Sequence, residues 1–378
     1  MVKIALFVPH TFFYAKLFFS IKKALEAHGF HVIGRTELLS SDALLAFCRQ
    51  DQPDVILEMN RTRNEIPGLP KHIVHIAWIV DNLGKKISDF SGSDLLYFFW
   101  HNWIKDCNSR SSRIVDWLPP GFDPELYFLE SGNFISDISF VGHISFPWRI
   151  EEEERILFES PELSVTFKDA LQHLEHQVQM TDLTGYHEDD YIQMALSFLP
   201  DSVREQISLN SCVQYDLGCR AILRMAFRQK MLDIAVASGA SIRFFGPGGW
   251  NAWPKYQPFY QSVLTEPADL RAVYQSSKIN LHEGVGVHFR TLDCMASGGL
   301  LFFMASPDDV LHGGIQSCFT PGRHYVEFDR NNFPEKSAFY LAHPEERAQI
   351  CEQAHAEVFS RHTWQHRIQK IADDLNSL

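Results

Sequence analysis

The chain is short of patterned cysteine, of positive charge and of long apolar runs, and each shortage removes a class of protein. Cys48, Cys107, Cys212, Cys219, Cys294, Cys318 and Cys351 are scattered, and no Cys-x-x-Cys pair occurs. That excludes a thioredoxin-type redox motif and a zinc ribbon. Unpaired thiols suit a reducing compartment, so a cytoplasmic protein is expected. No apolar stretch approaches the ~18 residues of a membrane span. The apolar N-terminus, Met1 to Phe19, is interrupted by Lys3, His10 and Lys16 and ends without a small-residue cleavage site, unlike a signal peptide. Lys and Arg number 34 against 47 Asp and Glu, a net charge of −13. Nucleic acids and anionic membranes demand a positive footprint, so neither is an expected partner. A local cationic site for one diphosphate survives that argument. Asp-x-Asp triplets, internal repeats and low-complexity tracts are also missing.

What is abundant is phenylalanine, 30 residues against 11 Tyr and 8 Trp. Over 378 residues, two or three domains are expected, with a core that needs no disulfide or metal staple. Short apolar runs alternate with helical patterns from the start. Lys3–Val8, His31–Ile33, Asp54–Glu58, His72–Val80, Asp94–Trp100 and Arg113–Leu118 read as strands, with helices over Ala15–His28 and Ser41–Arg49. Pro119, Pro120 and Gly121 then break the chain. A second series follows, with strands at Asp137–Gly142, Ser241–Gly246, Lys278–His282, Gly299–Met304 and His324–Phe328. Helices fit Ala221–Ala237, Asp269–Gln275, Phe289–Ser297 and a closing segment from Pro344. Residues 151–219 show helical patterning without strand alternation and read as a helical insertion. The pattern therefore predicts an α/β chain: a domain over 1–121, a domain over 122–343, and C-terminal helices over 344–378 that cross back to the first domain.

Tyr274–Phe303 reads strand, glycine-containing loop, helix, Gly-Gly turn, strand. The loop delivers the chain to a helix opening with His288, Phe289 and Arg290. Amides at a helix N-terminus attract anions, and Arg290 adds a charge suited to a diphosphate. Asp293 lies three residues on, where a carboxylate can accept from ribose hydroxyls. From spacing alone, an ordinary βαβ crossover with a surface Arg–Asp pair fits as well.

This stretch resembles the signature of glycosyltransferases with the GT-B fold, in particular the group-1-like domain of CgeB-type spore-maturation proteins. Arg290, Asp293, Ala296, Gly298 and Gly299 carry the likeness. Trp117–Tyr127 is similar to the family's interdomain linker, Asp137–His143 to the first strand and loop of its nucleotide domain, and Phe244–Trp250 to its Gly-rich turn. His343–Arg347 and His362–Arg367 resemble its closing helices, and Ile76–Asp81 a strand end of its N-terminal domain. The wider clan has a Glu eight residues before the ribose carboxylate; here that position is Val285, with Glu283 two residues earlier.

The resemblance implies two Rossmann-like domains facing a cleft and a sugar transfer that needs no metal or cofactor beyond the nucleotide-diphosphate sugar donor. Asp293 then holds the ribose. Arg290, Gly286, His288 and Phe289 surround the donor diphosphate, Gly142 and His143 face it, Lys230 adds a cation, and Glu283 is the candidate to stand in for the clan's Glu. Gly246, Gly248 and Trp250 fall near the nucleobase, where the indole can stack. On the acceptor side, strand ends nominate Asp81 and His10 as proton acceptors. The acceptor, whether protein, polysaccharide or small molecule, and the oligomeric state are not specified. An epimerase, a hydrolase or a non-catalytic nucleotide-binding scaffold on the same fold remain alternatives.

Overall fold

A computed structural model describes residues 1–82, 85–107, 111–130, 132–180, 188–221, 228–284 and 286–378. Val285, noted above, falls outside these residues.

Buried runs such as Ile4–Phe7 and Leu95–Phe98 have apolar side chains on both faces, the pattern of a sheet covered on both sides. Six strands, β1 (Lys3–Phe7), β2 (His31–Arg35), β3 (Val55–Met59), β4 (Val74–Ile79), β5 (Leu95–Phe98) and β6 (Ile114–Trp117), form one parallel sheet in the order β2-β1-β3-β4-β5-β6. The second domain contains β7 (Ser136–Val141), a separate hairpin of β8 (Ile156–Glu159) and β9 (Ser164–Thr166), then β10 (Ile242–Phe245), β11 (Tyr260–Ser262), β12 (Ser277–His282), β13 (Leu301–Met304) and β14 (Val326–Phe328). Its parallel sheet runs β11-β10-β7-β12-β13-β14. This is the doubly wound dinucleotide order, in which winding reverses between the first and fourth strands. Here those are β7 and β12, so a ligand site is expected beyond Val141 and His282.

Two parallel-sheet domains thus match the expected fold class, and the phenylalanines explain their core. Phe98, Phe99, Phe140, Phe244, Phe245, Phe302 and Phe303 are all buried in or beside strands. Some details differ from the sequence reading. The first helix spans Phe12–Ala27 because Thr11 Oγ1 accepts the Tyr14 amide at 3.1 Å, so a side-chain cap starts it earlier than the apolar spacing suggests. The insertion holds the β8–β9 hairpin as well as helices, and encloses its own core around Phe167, Leu174, Tyr191 and Leu217.

The closing segment is two helices, Pro344–Arg361 and Trp364–Asn376. Trp364, Ile368 and Ile371 of the second join the core of the first domain with Leu17, Phe18 and Trp78. Arg367 Nε donates to the carbonyls of Pro119 and Pro120 at 2.9 Å, and the Tyr97 hydroxyl to Asp374 at 2.6 Å. The end of the chain therefore seals the domain that the beginning of the chain builds.

Candidate active site

The loops after β7 and β12 meet at the switch point. The Arg290 guanidinium donates to the Val141 carbonyl, and this close approach dictates the residue next to it. A Cβ on Gly142 would lie 2.5 Å from Arg290 Nη1 and 2.6 Å from the Phe140 ring. Gly246, at φ +125°, and Gly248, at φ +106°, lie behind that loop. Their Cβ atoms would fall 2.3 Å from the carbonyl oxygens of Gly142 and Ile144. These two glycines let the loops pack back to back. Trp250 backs the same loop, with its Nε1 donating to the Gly142 carbonyl at 3.3 Å. Fully buried, it stacks on Phe244 and on Tyr260, with ring centroids at 5.1 and 5.9 Å. The expectation that Trp250 stacks on a nucleobase is therefore corrected: its faces are filled by the core.

Arg228, at the start of the helix Arg228–Ala237, supplies the second cation. Its Nε donates to Glu283 Oε1 at 2.6 Å, and its Nη1 donates to the His143 carbonyl at 2.7 Å and to the His143 ring at 3.0 Å. Glu283 is 3% exposed, yet among the described residues its Oε2 has no hydrogen-bond partner. A buried polar atom without a partner is costly and marks a position where a ligand can contribute one. Lys230 is corrected: it lines a different cleft, between the insertion and the second domain, that includes neither Arg290 nor Glu283.

Three histidines surround these cations, and the field works on each in the same direction. Desolvation, then Arg228 and Arg290, push His143 down to about 4. Burial and Arg290 hold His288 and His282 well below the usual histidine range. Neutral imidazole is an acceptor, and His288 Nδ1 accepts the Arg290 amide at 3.2 Å as the N-cap of the helix Phe289–Ala296. One amide of the anticipated anion cradle is thus already occupied by a side chain. Gly286 makes its turn at φ +72°, where a Cβ would meet the Gly313 carbonyl at 2.6 Å.

Asp293 sits on the same helix but points elsewhere. It shares a hydrogen bond with Tyr127, and burial raises its carboxyl well above the ordinary range. With Phe12, Phe13, Lys16 and Thr265 it lines an interdomain cleft of about 140 Å³. Phe289 borders that cleft, but chiefly wedges into the first domain, stacked on Phe99 at 5.4 Å and edge-on to Phe13 at 5.1 Å. Lys16 and Glu266 bridge the cleft mouth at 2.9 Å.

Asp81 ends the first domain's central strand at an exposed position. Its carboxylate accepts from the Tyr14 hydroxyl, and its amide donates to Asn60 Oδ1 at 3.0 Å. Burial and then Asp81 raise the Tyr14 hydroxyl well above its usual value, so it stays a donor. His10 is exposed, with Nδ1 3.1 Å from the Thr36 carbonyl. Tyr14 and Tyr127 were not singled out from sequence; Tyr127 closes the linker motif Trp117–Tyr127, the one signal that pointed to it.

Residues 224–373 match the family model described as glycosyl transferase-like. AviGT4, a glycosyltransferase involved in avilamycin A biosynthesis, is similar in structure at 11% identity and a TM-score of 0.54, covering 100% of this chain and 98% of its own. Anabaena HepE in complex with UDP is similar at 13% identity and a TM-score of 0.47, covering 100% of each chain. A glycosyltransferase from Rickettsia africae is similar at 10% identity and a TM-score of 0.48, covering 98% of this chain and 97% of its own. No curated protein matches the chain by sequence. The chain thus carries a glycosyltransferase-type domain on a GT-B scaffold.

Proposed function

We propose that this chain moves a sugar from a nucleoside-diphosphate sugar to an acceptor hydroxyl or comparable nucleophile. One observation carries the reading: Arg228 and Arg290 converge on the Val141–His143 loop at the switch point of a dinucleotide-order sheet. Fixed guanidinium groups there neutralise a leaving diphosphate without a metal. Asp293, lining the interdomain cleft, accepts from the ribose hydroxyls, and Glu283 Oε2 takes a further donor hydroxyl. Asp81, oriented by Tyr14, is the general base for the acceptor.

The finer likeness to CgeB-type relatives rests on Arg290, Asp293, Ala296, Gly298 and Gly299. A cytoplasmic setting belongs to the same reading, supported by the free thiols of Cys48, Cys107, Cys212, Cys294, Cys318 and Cys351. Among the described residues, no helix is long and apolar enough to cross a membrane.

Calorimetric titration with UDP, GDP, dTDP and CMP compounds in EDTA tests the proposal. One nucleotide is expected to bind, with Arg290→Ala and Asp293→Ala each weakening it at least tenfold. Unchanged affinity in both variants would overturn the site. Incubation with donor alone should leave the transferred sugar's stereochemistry intact; an altered sugar would point to an epimerase instead.

A further inference from the structure

Of the described residues other than glycine, two have a left-handed backbone, Gln52 at φ +46° and Asn60 at φ +61°. Gln52 caps the helix Ser41–Asp51, an ordinary place for that conformation. Asn60 ends no helix. It follows the last residue of β3, is 2% exposed, and bonds directly to the backbone of Asp81. A left-handed residue buried at a strand end, with no cap to explain it, is a feature that working sites retain. We propose that Asn60 is the positioning residue of the acceptor side, holding the end of β4 so that Asp81 meets the acceptor nucleophile, an inference that rests on the sugar-transfer reading.

The left-handed turn folds the side chain back over the neighbouring strand. The Asn60 amide donates to the Trp78 carbonyl at 2.9 Å, and Asn60 Oδ1 accepts from the amides of Val80 at 2.7 Å and Asp81 at 3.0 Å. Val80 and Asp81 lie past the last residue of β4, so Oδ1 supplies the acceptor that the sheet no longer provides. Asparagine suits the task twice over: it tolerates a positive φ better than most residues, and its carbonyl oxygen has two lone pairs for two amides.

Asp81 is held from the other side as well. Tyr14, on the helix Phe12–Ala27, donates its hydroxyl to the carboxylate, so the backbone and the side chain of Asp81 are fixed by different elements. The two amides facing Oδ1 also settle which way the Asn60 side chain points. Its Nδ2 is then a buried donor, and among the described residues it has no hydrogen-bond partner. The Asn60 side chain is near enough to Tyr14 to oppose the rise that burial and then Asp81 impose on the hydroxyl. The unspent N–H therefore stands ready to support Tyr14 as a donor to Asp81 while charge at the carboxylate changes. A misplacement of about 1 Å at a reacting group costs on the order of 100-fold in rate, which is the scale on which such a grip matters.

The test follows hydrolysis of UDP-glucose, UDP-N-acetylglucosamine, GDP-mannose and dTDP-glucose by the full chain, with water in the acceptor's place. Water bonds to the anomeric carbon and Asp81 takes its proton. The bond from that carbon to the diphosphate oxygen breaks, and its electron pair leaves on the diphosphate. Asn60→Gly keeps the left-handed backbone but loses the side-chain grip. On the donor cleaved fastest it is expected to lower kcat at least tenfold, with KM and the affinity for the released nucleotide within twofold of native. In Asn60→Gly/Asp81→Asn, kcat should match Asp81→Asn alone, because Asn60 acts through Asp81. Asn60→Asp suits the same backbone and accepts both amides, so it should stay within threefold of the native kcat even if the glycine variant fails to fold. Unchanged kcat in Asn60→Gly, a KM that rises in step, a further loss in the double variant, or a tenfold loss in Asn60→Asp overturns the inference. A native chain that binds UDP, GDP or dTDP but cleaves no donor, or cleaves one no better than Asp81→Asn does, overturns it through the base. A chain that binds none of the three nucleotides loses the sugar-transfer reading itself.

Discussion

Arg228 and Glu283 form a buried ion pair at the switch point, with Nε donating to Oε1 at 2.6 Å and both side chains almost wholly out of water. The pair holds one of the two cations at the Val141–His143 loop, and its stability cost is testable. Arg228→Met leaves a carboxylate buried and uncompensated, which is expected to cost about 3–5 kcal/mol. Arg228→Met/Glu283→Met should recover much of that stability in urea melts while nucleotide binding stays lost. Restored binding in the double variant would remove Arg228 from the donor site.

Asp293 should show a trade of stability for function. Burial raises its carboxyl well above the ordinary value, so the folded chain holds a proton there that the unfolded chain releases. Stability from this group therefore falls as pH rises from the ordinary carboxylate range toward neutrality. Asp293→Asn is expected to leave the melting temperature at pH 7 unchanged or raised, and to flatten its decline between pH 5 and 8. Nucleotide affinity should nonetheless drop at least tenfold. A melting temperature that falls sharply in the variant contradicts this account.

Gly142 tolerates no side chain without moving Arg290. Its Cβ would stand 2.5 Å from Arg290 Nη1 and 2.6 Å from Phe140, the latter fixed in the sheet. Gly142→Ala is expected to cost about 1–3 kcal/mol from overpacking. It should also weaken nucleotide binding through displaced Arg290, read by calorimetry. Retained affinity would mean that Arg290 does not act from the position described.

A buried network in the first domain sets its acid limit. His75 Nε2 lies 3.2 Å from Glu58 Oε2, and His75 Nδ1 lies 3.0 Å from Ser93 Oγ, all fully buried. Burial alone would raise Glu58, but hydrogen bonds from His75 and Arg61 overcome it and hold the carboxyl below its usual value. The stability it contributes is present above the ordinary glutamate value near 4.5 and is lost as pH falls through the lower folded value. Glu58→Gln should lower stability at neutral pH and remove that part of the acid-side decline. An identical acid profile in the variant would show that the pair does not carry it.

Much of this organisation was already legible in the residue pattern. Apolar runs such as Lys3–Val8 and Gly299–Met304 can only be strands covered on both faces, because no exposed strand survives with such side chains on each side. Arg290, Asp293 and the glycines between Gly284 and Gly299 marked a loop and helix whose spacing alone fitted an ordinary βαβ crossover as well as a diphosphate site, and only the family resemblance favoured the latter. The short strand Tyr260–Ser262 and the hairpin Ile156–Thr166 were not legible, since three or four residues carry too little periodicity to separate a strand from a loop.

What only the tertiary structure decided is which way each side chain faces. Arg228 and Lys230 are two residues apart on one helix, hence about 200° apart around its axis. The packing of that helix against β7 and β12 turns Arg228 to the Val141–His143 loop and Lys230 to the outer cleft. Trp250 follows the same logic: the sequence placed it beside a glycine turn, where an indole can serve a ligand or a core equally well. Phe244 and Tyr260 both stack on it and bury it completely, and burial of that apolar area outweighs exposing the ring to a nucleobase. Sequence determined the strands and the chemistry available at their ends; the order of the strands in the sheet set the switch point, and the packing of helices onto sheets determined which of those groups reach it.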